Sequence, residues 1–189
     1  MTRQAERPLR ADARRNRDRI LAAAVRLFAE PGPAPTFDRI AKEAGVGIAT
    51  LYRNFPTREA LVEAAYRSEL VKLCDAAPGL LASGPARAAL RAWTGRFLDY
   101  TTAKAGMADA LRAAIDSGRN PYAHSREAML AALTSLLTAG RADGTLRADV
   151  TPEDVFAALT GVALAAGGPD QREQAERLLD LLLDGLAAD

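Results

Sequence analysis

Residues 36–62, TFDRIAKEAGVGIATLYRNFPTREALV, constrain this chain more than any other stretch. Thr36 follows Pro31-Gly32-Pro33-Ala34-Pro35, a run that cannot itself be helical, and its hydroxyl suits the N-cap of a helix over 36–44. Ile40, Ala41 and Ala44 form the apolar stripe of that helix. Gly45 stands where a helix end calls for a left-handed residue. After a turn at 45–48 comes a second helix over 49–54. Phe55-Pro56 stops it, because the residue before proline is pushed out of the α region. Thr57 caps a third helix. Two short helices joined by a tight glycine turn make a helix-turn-helix.

The second of these helices is small or polar on one side, with Gly47, Ala49, Thr50, Arg53 and Asn54, while Val46, Leu51 and Phe55 face the other way. A helix that must bring its backbone close to base edges needs such a face. The competing reading is an ordinary helical hairpin in a core, which leaves the tyrosine and the arginines without a reason.

Ile40-Ala41, Ala44-Gly45-Val46, Thr50-Leu51-Tyr52, Phe55 and Glu59-Ala60-Leu61 together resemble the DNA-binding head of the TetR family of bacterial transcriptional regulators. The resemblance covers residues 14–75; beyond them it is one of length and helical patterning only. It implies that Thr50 and Tyr52 donate hydroxyls to phosphate and that Arg58 adds charge there. Thr36 and Thr57 start two helices whose free N–H groups suit phosphate. Base contacts are expected from Gly47, Ile48, Ala49, Arg53 and Asn54, with Arg53 suited to guanine O6 and N7 and Ile48 to a thymine methyl. Gly47 departs from the serine common in the family, and a lysine usual shortly after it is missing. Direct readout is therefore sparse, and DNA shape gains weight.

Charge supports a polyanion-binding front. Residues 1–72 carry 14 basic and 9 acidic side chains, a balance of +5, whereas residues 73–189 carry 11 and 15, a balance of −4. Residues 1–13, with Arg3, Arg7, Pro8 and Arg10, read as a flexible basic arm, either a solvated tail or a segment that touches DNA. A helix follows over 13–30, buried through Ile20, Ala24, Leu27 and Phe28. Arg14, Arg15, Arg17 and Arg19 crowd its first turns, where cations oppose the helix dipole and DNA phosphate is the natural neutraliser.

The rest of the chain is helical too. The helix from Thr57 runs to about Cys74, and Pro78-Gly79 is its first breaker. Further helices are predicted over 86–104, 107–116, 122–141, 152–166 and 170–186, separated by Ser83-Gly84-Pro85, Gly106, Ser117–Pro121, Asp143-Gly144 and Gly167-Gly168-Pro169. The expected fold is all-α with about nine helices: a three-helix helix-turn-helix head and a larger C-terminal bundle. The expected division is 1–56 for DNA binding and 57–189 for ligand binding and dimerisation, with the helix over 57–75 linking them. The family resemblance implies that this helix couples the two parts.

Trp93, Phe97, Tyr100, Met107, Leu111, Tyr122, His124 and Met129 suit a small-molecule pocket, and equally suit an ordinary core. The resemblance favours some ligand cavity. The last two helices carry Val155, Leu159, Val162, Leu178, Leu179, Leu182 and Leu186, and Leu181 and Leu183 widen the final helix's apolar face. A helix apolar on more than one face needs two neighbours, its own bundle and a second subunit. The alternative is a fully internal core.

Other chemistry is poorly represented. Cys74 is the only cysteine, expected to be a small buried hydrophobe on a helix, and His124 is the only histidine, so neither a disulfide nor a histidine or thiolate metal cluster is expected. No phosphate-loop, dinucleotide, zinc-protease or serine-hydrolase motif is present, and no cofactor is expected. No secretory leader and no 18-residue apolar run is seen, so the chain reads as cytoplasmic with no membrane partner. The expected partners are double-stranded DNA with a near-palindromic operator, a second copy of the chain and a small-molecule effector of unknown identity. The leading expectation is a repressor released by that effector. Alternatives are a DNA-binding regulator without an effector, and a helical interaction module whose basic head binds an acidic protein.

Overall fold

The computed structural model describes residues 6–30, 32–166 and 171–188, with side chains from residue 12 onward. The described residues form nine helices: α1 (Glu6–Ala29), α2 (Phe37–Ala44), α3 (Ile48–Asn54), α4 (Arg58–Leu81), α5 (Ala86–Gly106), α6 (Ala108–Asp116), α7 (Ser125–Ala142), α8 (Pro152–Ala165) and α9 (Arg172–Gly185). The all-α architecture with an N-terminal helix-turn-helix is as the sequence predicts. The Gly167-Gly168-Pro169 break, Asp170, Pro31, Arg3 and the side chains of Arg7, Pro8 and Arg10 lie outside the described residues.

Two boundaries differ widely from expectation, and α7 begins at Ser125 rather than at 122. Helix α1 begins at Glu6, so much of the expected flexible arm is helical backbone. Helix α4 does not stop near Cys74 but continues through Pro78 to Leu81. A proline inside a helix withholds the N–H that the carbonyl four residues earlier would receive, here that of Cys74. Next to that gap the buried Trp93 indole donates Nε1–H to the Leu73 carbonyl at 2.9 Å. Beyond the proline the ladder resumes, with the Ala82 N–H on the Pro78 carbonyl at 3.0 Å.

By internal packing the chain groups into two units. The first joins the residues up to Ser68 with Ala103–Pro121; the second joins Glu69–Thr102 with Tyr122 onward. The first unit is built on Ile20, Ala24, Leu27 and Phe28 of α1, with Ile40 and Ala41 of α2, Leu51 of α3 and Leu61, Val62 and Ala65 of α4, all buried. Met107, Leu111 and Ala114 add α6 to it. The α5–α6 corner seats on the end of α1, where a Cβ placed on Gly106 would lie 2.6 Å from the Phe28 carbonyl oxygen. At the far end of α6, Arg119 pairs with Glu63 of α4 at 2.8 Å.

In the second unit α5 packs through Leu90, Trp93, Phe97 and Leu98, and α7 through Met129, Leu133, Leu136 and Leu137, all buried. Surface pairs Arg87–Asp184 and Arg91–Asp180 tie α5 to α9, and Arg172–Asp99 does so at 2.5 Å. Exposed pairs of this kind contribute about 0–1 kcal/mol each, so α9 is held chiefly by Ala175, Leu179, Leu183 and Leu186, which are buried. Helix α8 starts on a reciprocal cap: the Asp154 N–H donates to the Thr151 hydroxyl oxygen at 3.2 Å, and the Thr151 N–H donates to the Asp154 carboxylate at 2.9 Å.

The glycines of α5 give opposite expectations. Gly106→Ala forces a methyl group against backbone and should destabilise the protein by about 1–3 kcal/mol, lowering the melting temperature. Gly95→Ala, where an added Cβ meets nothing within 4 Å, should stabilise by up to about 1 kcal/mol through helix propensity. Thermal melts of the two variants check the pair. Cys74, expected to be buried, is instead half-buried. Its thiol is pushed up to about 11, first by burial and then by the neighbouring Asp75 carboxylate. Alkylation at pH 8 should run about a hundredfold slower than for a free cysteine, since only the thiolate reacts, and should speed up about tenfold per pH unit.

Candidate nucleic-acid interface

The interface is assembled on a rigid turn. Thr36 caps α2 by accepting from the Arg39 N–H at 3.2 Å. At its other end Gly45 takes the left-handed conformation, φ 62°, with its N–H on Lys42 O at 3.1 Å and the Val46 N–H on Ala41 O at 3.0 Å. This is the pair of bonds that closes a helix on a left-handed glycine. Gly47 then begins α3 with extended backbone and no side-chain cap. The absence of a side chain at 47 leaves the first N–H groups of α3 open.

Helix α3 exposes part of the face that the sequence singles out. Gly47, Ile48, Ala49, Tyr52 and Arg53 are exposed, Thr50 and Asn54 are half-buried, and Leu51 and Phe55 are buried beneath them. Ile48 and Tyr52 are exposed by 37% and 52%, two large side chains left uncovered on one short helix. The Tyr52 ring rests on Phe37 of α2, centroids 5.1 Å apart, so the hydroxyl is held outward by a braced ring. Arg53 Nη2 donates to the Thr50 hydroxyl oxygen at 2.9 Å. Asn54 is folded back on its own helix, with Nδ2 on the Thr50 carbonyl at 2.8 Å. Base contact by Asn54 therefore requires that bond to open.

The basic residues fall into two groups. Arg14 and Arg15 lie exposed on α1, Arg15 paired with Asp12. Arg17 stacks over the Phe55 ring, 4.5 Å from its centroid, so it braces the end of α3 while remaining exposed. Arg58 is drawn inward: it lies over Phe28, 5.3 Å from the centroid, and donates Nη1–H to the Pro35 carbonyl at 2.9 Å. Thr57 accepts from the Ala60 N–H at 3.2 Å. The Glu59 carboxylate is held below its ordinary pKa first by its own backbone N–H and then by the Thr57 hydroxyl. The start of α4 thus already holds an anion, and a phosphate there must share it. Neither arginine–ring pairing is visible in the sequence, because each joins residues more than 25 positions apart through the packing of α1.

The residues expected to form a pocket are divided between the two units. Met107 and Leu111 belong to the first unit and the others to the second. Trp93, Phe97 and Tyr100 are buried and stacked along α5, with centroids 6.0 and 6.2 Å apart, and Phe97 meets Phe156 of α8 edge-on at 6.4 Å. Met129 is buried and Tyr122 half-buried. His124 turns outward at the start of α7, in a left-handed conformation, with Nδ1 3.3 Å from Glu127. Val155, Leu159, Leu179 and Leu186 are buried within the chain itself, and Val162, Leu178 and Leu182 are half-buried. The large apolar side chains that face outward on α8 and α9 are Leu164, exposed by 82%, and Leu181, by 69%. Leu164 is a residue that sequence reasoning missed; the run of apolar and small residues around it, Val162-Ala163-Leu164-Ala165, hid which face turns out.

Comparison with known proteins agrees with this geometry. Residues 20–65 match the family of bacterial regulatory proteins, tetR family, and residues 85–188 match the C-terminal domain of SbtR-like transcriptional regulators. The HTH-type transcriptional repressor KstR2 of Rhodococcus jostii (strain RHA1) is 30% identical over 91% of each chain. An HTH-type transcriptional regulator of Staphylococcus aureus (strain USA300) is 46% identical over 54 residues, 28% of this chain and 29% of that protein. Among solved structures, the TetR transcriptional regulator SCO0520 from Streptomyces coelicolor is 62% identical with a TM-score of 0.87, covering 91% of this chain and 98% of that one. A TetR transcription regulatory protein from Mycobacterium vanbaalenii is 35% identical with a TM-score of 0.78, covering 96% and 100%. With a braced helix-turn-helix at its front and both parts of its length matched, the chain belongs to the TetR family of DNA-binding transcriptional regulators.

Proposed function

We propose that this protein is a homodimeric repressor that binds a near-palindromic operator in the cytoplasm through residues 1–56 and leaves it when a small molecule enters the part from 57 onward. The observation that carries the DNA half of this reading is the outward face of α3, where Ile48, Ala49, Tyr52 and Arg53 are exposed over a buried Leu51 and Phe55. The sense of regulation, repression, is supported by the likeness to a repressor over 91% of the chain. The test is selection of bound DNA from a random pool, with and without a metabolite extract. Enrichment of one paired motif that the extract reverses is the expected result; enrichment of no motif overturns the reading.

Helix α3 supplies the base readers and the phosphate ligands at once. The Thr50 hydroxyl accepts from Arg53 and keeps its own hydrogen for phosphate. Thr50→Ala should weaken operator binding by about 1 kcal/mol, nearly uniformly across DNA sequences, and so should Tyr52→Phe. Arg53→Ala should instead relax base preference at one operator position. An unchanged selected motif would rule Arg53 out as a base reader.

Dimerisation is supported by the outward apolar side chains of α8 and α9. Leu164 and Leu181 face solvent in the single chain, beside the exposed Gly161 and the half-buried Val162, Leu178 and Leu182. A two-fold pairing over this face would cover them and set two α3 helices on half-sites about 34–36 Å apart or a multiple of that spacing. The double variant Leu164→Glu, Leu181→Glu should sediment as a folded monomer at micromolar concentration, where the parent sediments as a dimer.

The effector reading is supported by the aromatic stack of Trp93, Phe97, Tyr100 and Phe156 in the second unit, a core that an apolar ligand would have to enter by parting rings. Helix α4 has residues in both units and is the natural carrier of the signal. A hundredfold loss of operator affinity needs about 2.7 kcal/mol of coupling, and linkage requires operator to weaken effector binding by the same factor. Equal effector affinities with and without operator would show that the bound molecule is no inducer.

A further inference from the structure

Arg58 occupies the first position of α4, beside residues that face DNA in the reading above, and its charge invites assignment as a phosphate ligand. Its geometry points elsewhere. Nη1 donates to the carbonyl of Pro35, a buried residue in the loop between α1 and α2, at 2.9 Å. Nη2 is closed to water, with no hydrogen-bond partner among the described residues. The flat face of the guanidinium lies over Phe28, itself 6% exposed, 5.3 Å from the ring centroid. A nitrogen that water cannot reach is not open to a phosphate oxygen either. The Pro35 carbonyl belongs to the residue just before Thr36, the N-cap of α2. Fixing that carbonyl fixes the direction in which the first N–H groups of α2 point.

We propose that Arg58 is a positioning residue for DNA binding: it ties the α1–α2 loop to the start of α4, thereby aims the N-terminus of α2 at the backbone phosphate, and does not itself ligate phosphate. The inference rests on the DNA-binding reading given above. The chemistry selects arginine specifically. Lysine carries the same charge and ligates phosphate well, but it has no planar face to lay on Phe28 while one arm reaches Pro35.

The test measures operator affinity against salt concentration for the full-length parent, Arg58→Lys, Arg58→Met, Thr36→Ala and Arg58→Lys with Thr36→Ala, at a temperature where circular dichroism shows all of them folded. Arg58→Lys is expected to lose about tenfold in affinity with an unchanged salt slope. Arg58→Met is expected to lose a similar factor, its slope also unchanged. Thr36→Ala is expected to weaken the parent severalfold but to have little further effect on Arg58→Lys, because both act through the same helix end; a general loss of stability would instead make the two effects multiply. Arg58→Lys binding within twofold of the parent, a slope reduced by about 0.9 per lost contact in Arg58→Met, or multiplying effects of the two substitutions would each overturn the proposal. A parent that binds no DNA at all would instead refute the functional reading.

Discussion

A helix of seven residues is too short to persist alone in water, and everything this protein presents to DNA rides on one. Helix α3 exists because Leu51 and Phe55 are sunk into the layer formed by α1 and α2, and because the glycine turn before it allows no other exit from α2. Arg17 closes the far end by stacking on Phe55. The reading face can therefore leave Ile48, Ala49 and Arg53 exposed, because the helix is held from its other side. Burying two side chains of this size is favourable by about 1.5–3 kcal/mol each, enough to hold so short an element in place.

Much of this was legible in the residues. Pro35, Thr36, Gly45 and Pro56 mark the helix ends by local rules, and local rules act through a few neighbouring backbone bonds that a sequence displays directly. The all-helical body was legible for the same reason, in its apolar spacing and its Gly/Pro punctuation. Pro78 misleads because proline is only half a breaker: it withholds one N–H, yet its own backbone angle is helical, and a long helix already anchored through Leu70, Leu73 and Ala77 continues through it.

The candidate site was legible in outline and not in its wiring. Exposure at Gly47, Ala49 and Arg53 follows from the amphipathic pattern, and that of Ile48 and Tyr52 is expected from the family resemblance. The inward turn of Arg58, the stacking of Arg17 and the folding back of Asn54 depend on which ring or carbonyl lies nearby in space, and no periodicity encodes that. In the body, composition alone could not separate stacked core from pocket. Nor could it separate the buried Leu159 from the outward Leu164 in α8, or the buried Leu179 and Leu183 from the outward Leu181 in α9, because leucines stand on more than one face of each helix.

The grouping of α6 with the front of the chain has a consequence for synthesis. The first 68 residues leave the ribosome well before Gly106 and Arg119, yet those later residues complete the same unit. Until α6 arrives, the end of α1 lacks the helix corner that seats on it, and Glu63 lacks the arginine it pairs with. The nascent helix-turn-helix is thus an unfinished body through the translation of α4 and all of α5. Its maturation is timed by the appearance of the middle of the chain, and a fragment ending at residue 68 would lack the contacts that Gly106 and Arg119 bring.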